Sequence, residues 1–398
     1  MLKNVSKVLS GGLLAQVLNF LSIPFIASWY GPAAFGDYAA FAFFVAFLPM
    51  LMTLRMEMAI MQDPDDSEKN SLIFLSLING LSIVAICLII SLFFADEIKL
   101  EIILIVLCAF FTSIQNMAVS IANLKERYWA LSLSRLLFPI FFFVIVFVSK
   151  DKDMSYPLAT SHMFASFLVA LYIVKASNYR VKIVSLKEII SVLQNNSKYI
   201  KFDLPSNILN VSALLLPAYL IGLLFDEESS GLYFLAYKLI AAPLGAISLA
   251  IGYVYRREAV KEYSMNNTFD VITKKILQLL ILLSAFMLIS YYALGPWIFS
   301  LLFKEDWQLA LPIISILMPM FALKLVASSL SFSFYIVDKL KLDLYGQIFF
   351  VISIVLAIYG GYLLNDFIKA VYFTAIASGF VYLVYGIKSI QFSMGKAT

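Results

Sequence analysis

An all-α integral membrane protein of about twelve transmembrane helices is the fold class that this sequence predicts. Three observations carry it. The 398 residues are 62% hydrophobic, only 14% of them are charged, and apolar runs long enough to cross a bilayer recur from one end to the other. A hydrocarbon core about 30 Å thick takes roughly 20 apolar helical residues to cross, so twelve crossings use about 250 residues. A closed barrel would show short alternating segments, whereas runs such as 72–94 are continuous, so the spans are read as helices.

The runs place spans at 8–29, 34–54, 71–95, 101–123, 131–148, 156–175, 203–225, 230–253, 274–294, 308–336, 343–364 and 367–387. The first follows Lys3 and Lys7 as a signal peptide would. It is long, carries Pro24 and lacks a small-residue cleavage signature before Trp29, so it is expected to be a retained helix. Of the 29 Lys and Arg residues, alternate connections on one side hold only Lys99, Lys150, Lys152, Lys304 and Lys369, and Lys238 and Lys324 lie within spans. The remaining 22 fall on the other side, counting those at the inner ends of spans. Basic residues mark cytoplasmic segments, which puts both termini in the cytoplasm. The outer connections carry Asp96, Glu97, Glu101, Asp226, Glu227, Glu228, Glu305 and Asp306, so the net charge of +4 records orientation rather than a nucleic-acid surface. Cys87 and Cys108 fall in spans, where no spacing supports a disulfide or metal site.

The outer connections are short and leave no room for a catalytic domain. The longest connection is internal, a basic linker at 176–202 between an N-terminal lobe at 1–175 and a C-terminal lobe at 203–398. Within it Ser185 and Glu188 have capping-box spacing ahead of Ile189, Ile190, Val192 and Leu193. With Lys182, Lys187 and Lys198 nearby, this predicts a basic amphipathic helix lying on the anionic inner leaflet, or else docking a partner protein. The two halves echo each other. Pro24, Gly36, Tyr38, Arg55 and Glu57 recur in order as Pro217, Gly231, Tyr233, Arg256 and Glu258. Six spans separate the copies, as parallel repeats about an axis along the membrane normal require, and such folds place the substrate between the lobes.

Polar groups inside a span are costly and are functional candidates by default. Lys238 lies too deep in the eighth span for easy snorkelling, with Ala241, Ala242 and Gly245 leaving space beside it. A lysine bonded to carbonyls at a close helix contact would look the same. Lys324 lies in a long tenth span broken by Pro312 and Pro319, and its face continues through Ser328, Ser331 and Tyr335. Such a stripe lines a wet cavity. The fourth span carries Thr112, Gln115, Asn116, Ser120 and Asn123, which suit either a cavity or interhelical bonding, and the first carries Gln16 and Asn19. Arg55 and Glu57, at the inner end of the second span, are two apart and do not face one another on a helix; interfacial anchoring is their simpler role. His162 stands near the outer end of the sixth span as a weak proton-relay candidate. The predicted substrate-binding set is Lys238, Lys324, Arg55, Glu57, Gln115, Asn116 and Ser328. Two cations facing a cavity select anions, and an ammonium binds phosphate well.

Five segments, in this order, carry a resemblance over essentially the whole chain: Tyr30-Gly-Pro-Ala-Ala-Phe-Gly-Asp-Tyr38, Leu54-Arg-Met-Glu-Met-Ala-Ile60, Tyr199-Ile-Lys-Phe-Asp-Leu-Pro205, Gly231-Leu-Tyr-Phe-Leu-Ala-Tyr-Lys238 before Pro243, and Phe303-Lys-Glu-Asp-Trp307 before Ala310 and Pro319. The sequence resembles the polysaccharide flippases of the MOP superfamily, specifically the Wzx-type exporters of lipid-linked O-antigen and related repeat units. The resemblance implies a MATE-like, V-shaped pair of six-helix lobes alternating between inward-open and outward-open states. It implies an undecaprenyl-pyrophosphate-linked oligosaccharide moved from the inner to the outer leaflet of a bacterial inner membrane. It also implies a basic residue where Lys238 stands and one near Lys324.

The task needs no covalent chemistry and no cofactor, and the sequence leaves open whether a proton or sodium gradient drives it. Expected partners are the lipid-linked oligosaccharide, membrane lipids, and the polymerase and chain-length regulator of the same pathway, with no nucleic acid. The alternatives are a cation-coupled multidrug exporter and a membrane enzyme of polysaccharide assembly. The first span lacks the carboxylate that cation coupling commonly uses, although Asp203 borders the seventh and Asp37 lies in an outer turn. In the predicted topology, a cysteine at Glu227 is labelled from outside the cell and one at Lys261 only from inside. An opposite labelling pattern overturns the orientation.

Overall fold

The computed structural model describes residues 2–395 except 63, 153 and 180, with the side chains of 2–10 and 340 outside the description. The first elements are α1 (Leu2–Trp29), α2 (Pro32–Thr53), a short α3 (Met56–Ile60), α4 (Asp66–Ser91), α5 (Asp96–Leu124), α6 (Tyr128–Ser149), α7 (Pro157–Ser177) and α8 (Leu186–Asn195). A π-helical turn, Tyr199–Asp203, leads into α9 (Leu204–Leu224), α10 (Glu227–Asn266), α11 (Asp270–Leu302), α12 (Ala310–Leu330), a short α13 (Ser333–Ile336), α14 (Leu340–Leu363) and α15 (Phe367–Ser393). Among the described residues there is no strand, and twelve helical stretches are long and apolar enough to cross a membrane. The all-helical, twelve-span architecture is the one the apolar runs predict.

Short polar caps start the helices where the chain leaves a turn. Asp65 accepts the amide of Glu68 at 2.8 Å, Asp226 that of Ser229 at 2.7 Å, and Asp366 that of Lys369 at 3.0 Å. Each satisfies a first-turn donor that has no partner within the helix. The expected capping box is present on α8: Ser185 and Glu188 bond reciprocally. Its backbone amide and hydroxyl hold the Glu188 carboxyl below the usual carboxylate range.

Boundaries differ from the hydropathy reading at several spans: α11 runs eight residues past the predicted end at 294, and two further differences have a physical reason. The eighth span is the N-terminal part of a 40-residue helix, α10, because the helix continues past the apolar stretch through Arg256, Arg257 and Lys261. The tenth is not broken at its prolines. α12 runs through Pro312 and Pro319, and its α-helical ladder stops instead at Leu330, one turn before α13. Pro312 lies in the first turn, where the missing amide has no intrahelical partner to lose.

The chain forms two compact units, 1–30 with 37–215, and 31–36 with 216–398. The division by contacts therefore runs through α2 and α9, and it leaves segment 176–202 with the first unit. That segment is tied there by Asn70, whose side chain donates to the Lys182 carbonyl at 2.8 Å and accepts the Lys182 amide at 2.7 Å. Val192 of α8 is buried with Met56, Ile60, Leu72 and Met117. Within the first unit α4 packs on α5, α5 on α7 and α6 on α7; within the second the matching pairs are α11 with α12, α12 with α15 and α14 with α15.

The second unit also gives a cause for the repeated Gly-x-Tyr. A Cβ built on Gly36 would overlap the Glu227 carbonyl, and one on Gly231 would overlap the Pro32 carbonyl. The first turns of α2 and α10 thus cross backbone against backbone, each glycine making room for the other helix. Nearby, Phe35 meets the buried Trp307 at 4.9 Å between ring centroids. Overpacking of this kind costs about 1–3 kcal/mol. Gly36→Ala and Gly231→Ala should each lower the melting temperature of purified protein clearly, whereas Gly245→Ala, which faces open space, should leave it almost unchanged.

Candidate functional site

The second unit builds its polar interior around Lys324. This residue is half-buried in α12, and its ammonium donates to the Tyr237 hydroxyl of α10 at 2.9 Å. The ammonium stands 5.0 Å from the Tyr237 ring, 5.1 Å from Phe321 and 5.9 Å from Tyr382 of α15. Aromatic faces attract a cation through their quadrupole, the more so when water is excluded. Among the described residues no carboxylate lies within ion-pair distance of Lys324, so its charge is solvated by hydroxyls and rings rather than cancelled. The box is itself well supported. Tyr237 stacks near Tyr233 at 6.3 Å and against Phe321 at 5.3 Å, while Tyr382 packs on Phe350 at 5.3 Å.

Lys238 follows Tyr237 directly and so leaves α10 in a different direction. Its ammonium folds back one turn to lie 4.5 Å from the Phe234 ring. The two lysines thus occupy different aromatic surroundings. Ser328 joins α12 to α10: its hydroxyl is 2.6 Å from that of Ser248, which is 3.0 Å from Ser329. It also donates to the Lys324 carbonyl at 2.7 Å. Ser328 and Tyr335 are exposed, and Ser331 is half-buried and bonds to the Ser328 carbonyl at 2.9 Å.

Arg55 and Glu57 form a different kind of site in the first unit. The sequence expectation that they do not face one another is corrected. The Arg55 guanidinium reaches Glu57 at 3.2 Å and Asp203 at 2.6 Å. The reason is local. Leu54 and Arg55 both take left-handed backbone, with φ of 52° and 62°, so no continuous helix separates their side chains by the usual angle. Two such non-glycine residues in a row cost roughly 1–2 kcal/mol each, a strain that the ion cluster and the buried packing of α3 offset. Asp203 ends the π-helical turn, a geometry found often at functional positions. The Glu57 side chain is only 5% exposed, and its second oxygen is buried without a hydrogen-bond partner among the described residues.

The remaining predicted positions are placed as follows. Gln115 of α5 donates to the Ser166 carbonyl of α7 at 2.7 Å, the interhelical option for that stripe. Asn116 is half-buried, Ser120 is buried, and Asn123 reaches the Met61 sulfur at 3.6 Å. His162 Nδ1 is 2.8 Å from the Tyr38 hydroxyl and is ringed by Phe41, Phe138 and Phe142. Gln16 and Asn19 are exposed. Tyr237 and Tyr382 were not among the sequence candidates. Their signal was a hydroxyl inside an apolar span, which a search for charge and amide passes over.

Removing one partner from a buried ion cluster costs more than the cluster gains, because it strands the other charge. Arg55→Met should therefore destabilise the purified protein by about 3 kcal/mol, and adding Glu57→Gln should restore more than half of that loss. Thermal denaturation of the single and double variants tests this; an additive double variant would show that the two side chains are not coupled.

A family model described as a polysaccharide biosynthesis protein matches residues 25–312. No curated protein matches the chain. Among solved structures, the chain is similar to the lipid II flippase MurJ in an inward closed conformation, with a TM-score of 0.74 at 16% identity over 97% of this chain and 89% of that one. It is also similar to an inward-facing multidrug resistance MATE transporter of the MOP superfamily, at 0.71 and 14% over 96% of both chains. A third is a MOP superfamily transporter from Pyrococcus furiosus whose binding pocket is described as of reverse polarity, at 0.62 and 15% over 99% of this chain and 96% of that one. These likenesses show a shared fold.

Proposed function

The chain belongs to the polysaccharide biosynthesis protein family, and from that membership we propose that it is a Wzx-type flippase. Its substrate is an undecaprenyl-pyrophosphate-linked oligosaccharide repeat unit of O-antigen or a similar polysaccharide. It moves this unit from the inner to the outer leaflet of a bacterial inner membrane by alternating access, with both of its own termini in the cytoplasm.

The observation that carries the reading is the Lys324 box. The barrier to flipping is the passage of a charged, heavily hydroxylated head through hydrocarbon, where unpaired polar groups are expensive. An ammonium offers three donors and no acceptor, and one whose neighbours are neutral hydroxyls and rings keeps a full charge for an incoming phosphate. Tyr237 and Tyr382 bring hydroxyls for exchange with sugar hydroxyls and apolar faces against which a sugar ring can lie. Lys238 supplies a second cation one residue from Tyr237. The shared fold with MurJ and MATE transporters supports a transport role.

Uptake of a defined lipid-linked oligosaccharide into vesicles containing the purified protein, with and without ion gradients, tests the reading. A hydrogen bond to a charged group contributes about 1.5–3 kcal/mol, and each 1.36 kcal/mol is tenfold in rate. Lys324→Ala should therefore slow uptake by about tenfold or more at unchanged abundance in the membrane. Lys238→Ala should also slow it, and Lys324→Arg should retain part of the activity. Full complementation of a flippase-deficient strain by both alanine variants rejects the cationic site.

A further inference from the structure

The first unit contains an apolar groove that the flippase reading does not use. Its volume is about 390 Å³, and its walls include Leu77 of α4, Ile114 and Ile121 of α5, and Phe167 and Val174 of α7. Along α5 the lining runs from Phe111 to Ile121, and along α7 from Phe167 to Ser177. Ten residue steps of helix are about 15 Å, which is half of a hydrocarbon core about 30 Å thick. The groove is therefore one leaflet deep.

One end is closed. Tyr179 and Val181, just past α7, line it there, and the two-way bond of Asn70 holds the Lys182 backbone against α4. The same end lies at headgroup level, because the chain beyond it is amphipathic. Val192 is buried against the unit while Ile183, Leu186, Ile190 and Leu193 are exposed. An exposed apolar row on a capped helix with basic residues lies in the interface of an anionic leaflet.

Charge collects at this closed end. The Lys125 ammonium donates to the carbonyls of Ser177 at 3.3 Å and Asn178 at 2.9 Å and stands 5.3 Å from the Tyr179 ring that closes the groove. Arg127, Lys175 and Lys182 are exposed at the same helix ends. Acids stand there too: Glu126 beside Lys125, and Asp65, Asp66 and Glu68 at the start of α4, of which Asp66 is 3.7 Å from Lys69 and Glu68 accepts from Asn196 at 3.2 Å.

We propose that this groove binds one acyl chain of an anionic glycerophospholipid, with the phosphate at Lys125 and the chain running toward the middle of the membrane between α4, α5 and α7. A chain seated there has protein on three sides, so it gains many more van der Waals contacts than a lipid on a flat helix face. It is thereby distinguished from the lipids that line every membrane protein. The inference stands independently of the flippase reading.

Native mass spectrometry of the full chain after exhaustive detergent washing tests it, with phosphatidylglycerol, phosphatidylethanolamine and undecaprenyl phosphate added in separate titrations. One equivalent of phosphatidylglycerol should be retained, about tenfold more tightly than phosphatidylethanolamine. Val174→Trp, an exposed rim position, should abolish that retention by filling the groove, and Lys125→Gln should remove the preference between the two headgroups. A second measurement needs no variant: phosphatidylglycerol carrying a photoreactive acyl tail should label wild-type peptides covering 111–121 and 167–177. Equal retention by wild type and Val174→Trp, labelling spread evenly over all spans, or a preference for undecaprenyl phosphate would each overturn the proposal.

Discussion

Hydrocarbon offers no hydrogen bonds, and that shortage governs how this chain is arranged from its backbone outward. Beyond its first turn a helix satisfies its amides from its own carbonyls, and many span hydroxyls follow the same rule at short range. Ser71, Ser82, Ser161, Ser353 and Thr374 each donate to the carbonyl four residues back. A smaller group is spent on joining helices: Asn79 on the carbonyls of Leu51 and Met52, Ser230 on that of Ala218, and Tyr255 between Thr273 and Ser333. Once both groups are accounted for, the charged side chains stand out as the polar content that packing alone does not explain.

The two units hold their interior charge by opposite means. In the first, Arg55 sits between two carboxylates, and a strained turn brings them together. Attraction within such a cluster is largely consumed by desolvation, so its worth is in fixing geometry rather than in stability. In the second, Lys324 is surrounded by tyrosines and a phenylalanine. The first arrangement is nearly self-sufficient and ties the π-helical turn before α9 to the α2–α3 break. Among the described residues, the second holds its cation with a hydroxyl and aromatic rings alone. Under the proposed function the binding role is assigned to Lys324 rather than to Arg55, although both are charges inside spans or at their ends.

The spans were legible in the sequence because bilayer thickness sets a length that apolar runs must meet, and the start of α8 was legible because a capping box is local chemistry. What hydropathy could not show was where a helix ends once it leaves the membrane, hence the understated α10. The Gly36 and Gly231 echo was visible as a pattern, but its cause is a crossing of backbones nearly two hundred positions apart in the chain. Arg55 and Glu57 were misjudged because helical spacing was applied where the backbone turns left-handed, a feature that arginine does not advertise. The two lysines were found by charge alone, whereas Tyr237 and Tyr382 escaped because a tyrosine in an apolar span reads first as packing.

The length of α10 has a mechanical meaning. Forty residues of helix make a rod about 60 Å long, twice the thickness of the hydrocarbon it crosses. Its first turn is locked by the glycine crossing, Tyr237 and Lys238 lie about a quarter of the way along, and Arg256, Arg257 and Lys261 ride on the far part. A rod pinned at one end magnifies rotation: a tilt of about 10° displaces the other end by about 10 Å over that length. Pro243, inside the rod, deprives the Leu239 carbonyl of its amide partner and so marks the point of least stiffness. A bend of about 10° at Pro243 moves Lys261, about 27 Å further along the helix, by about 5 Å.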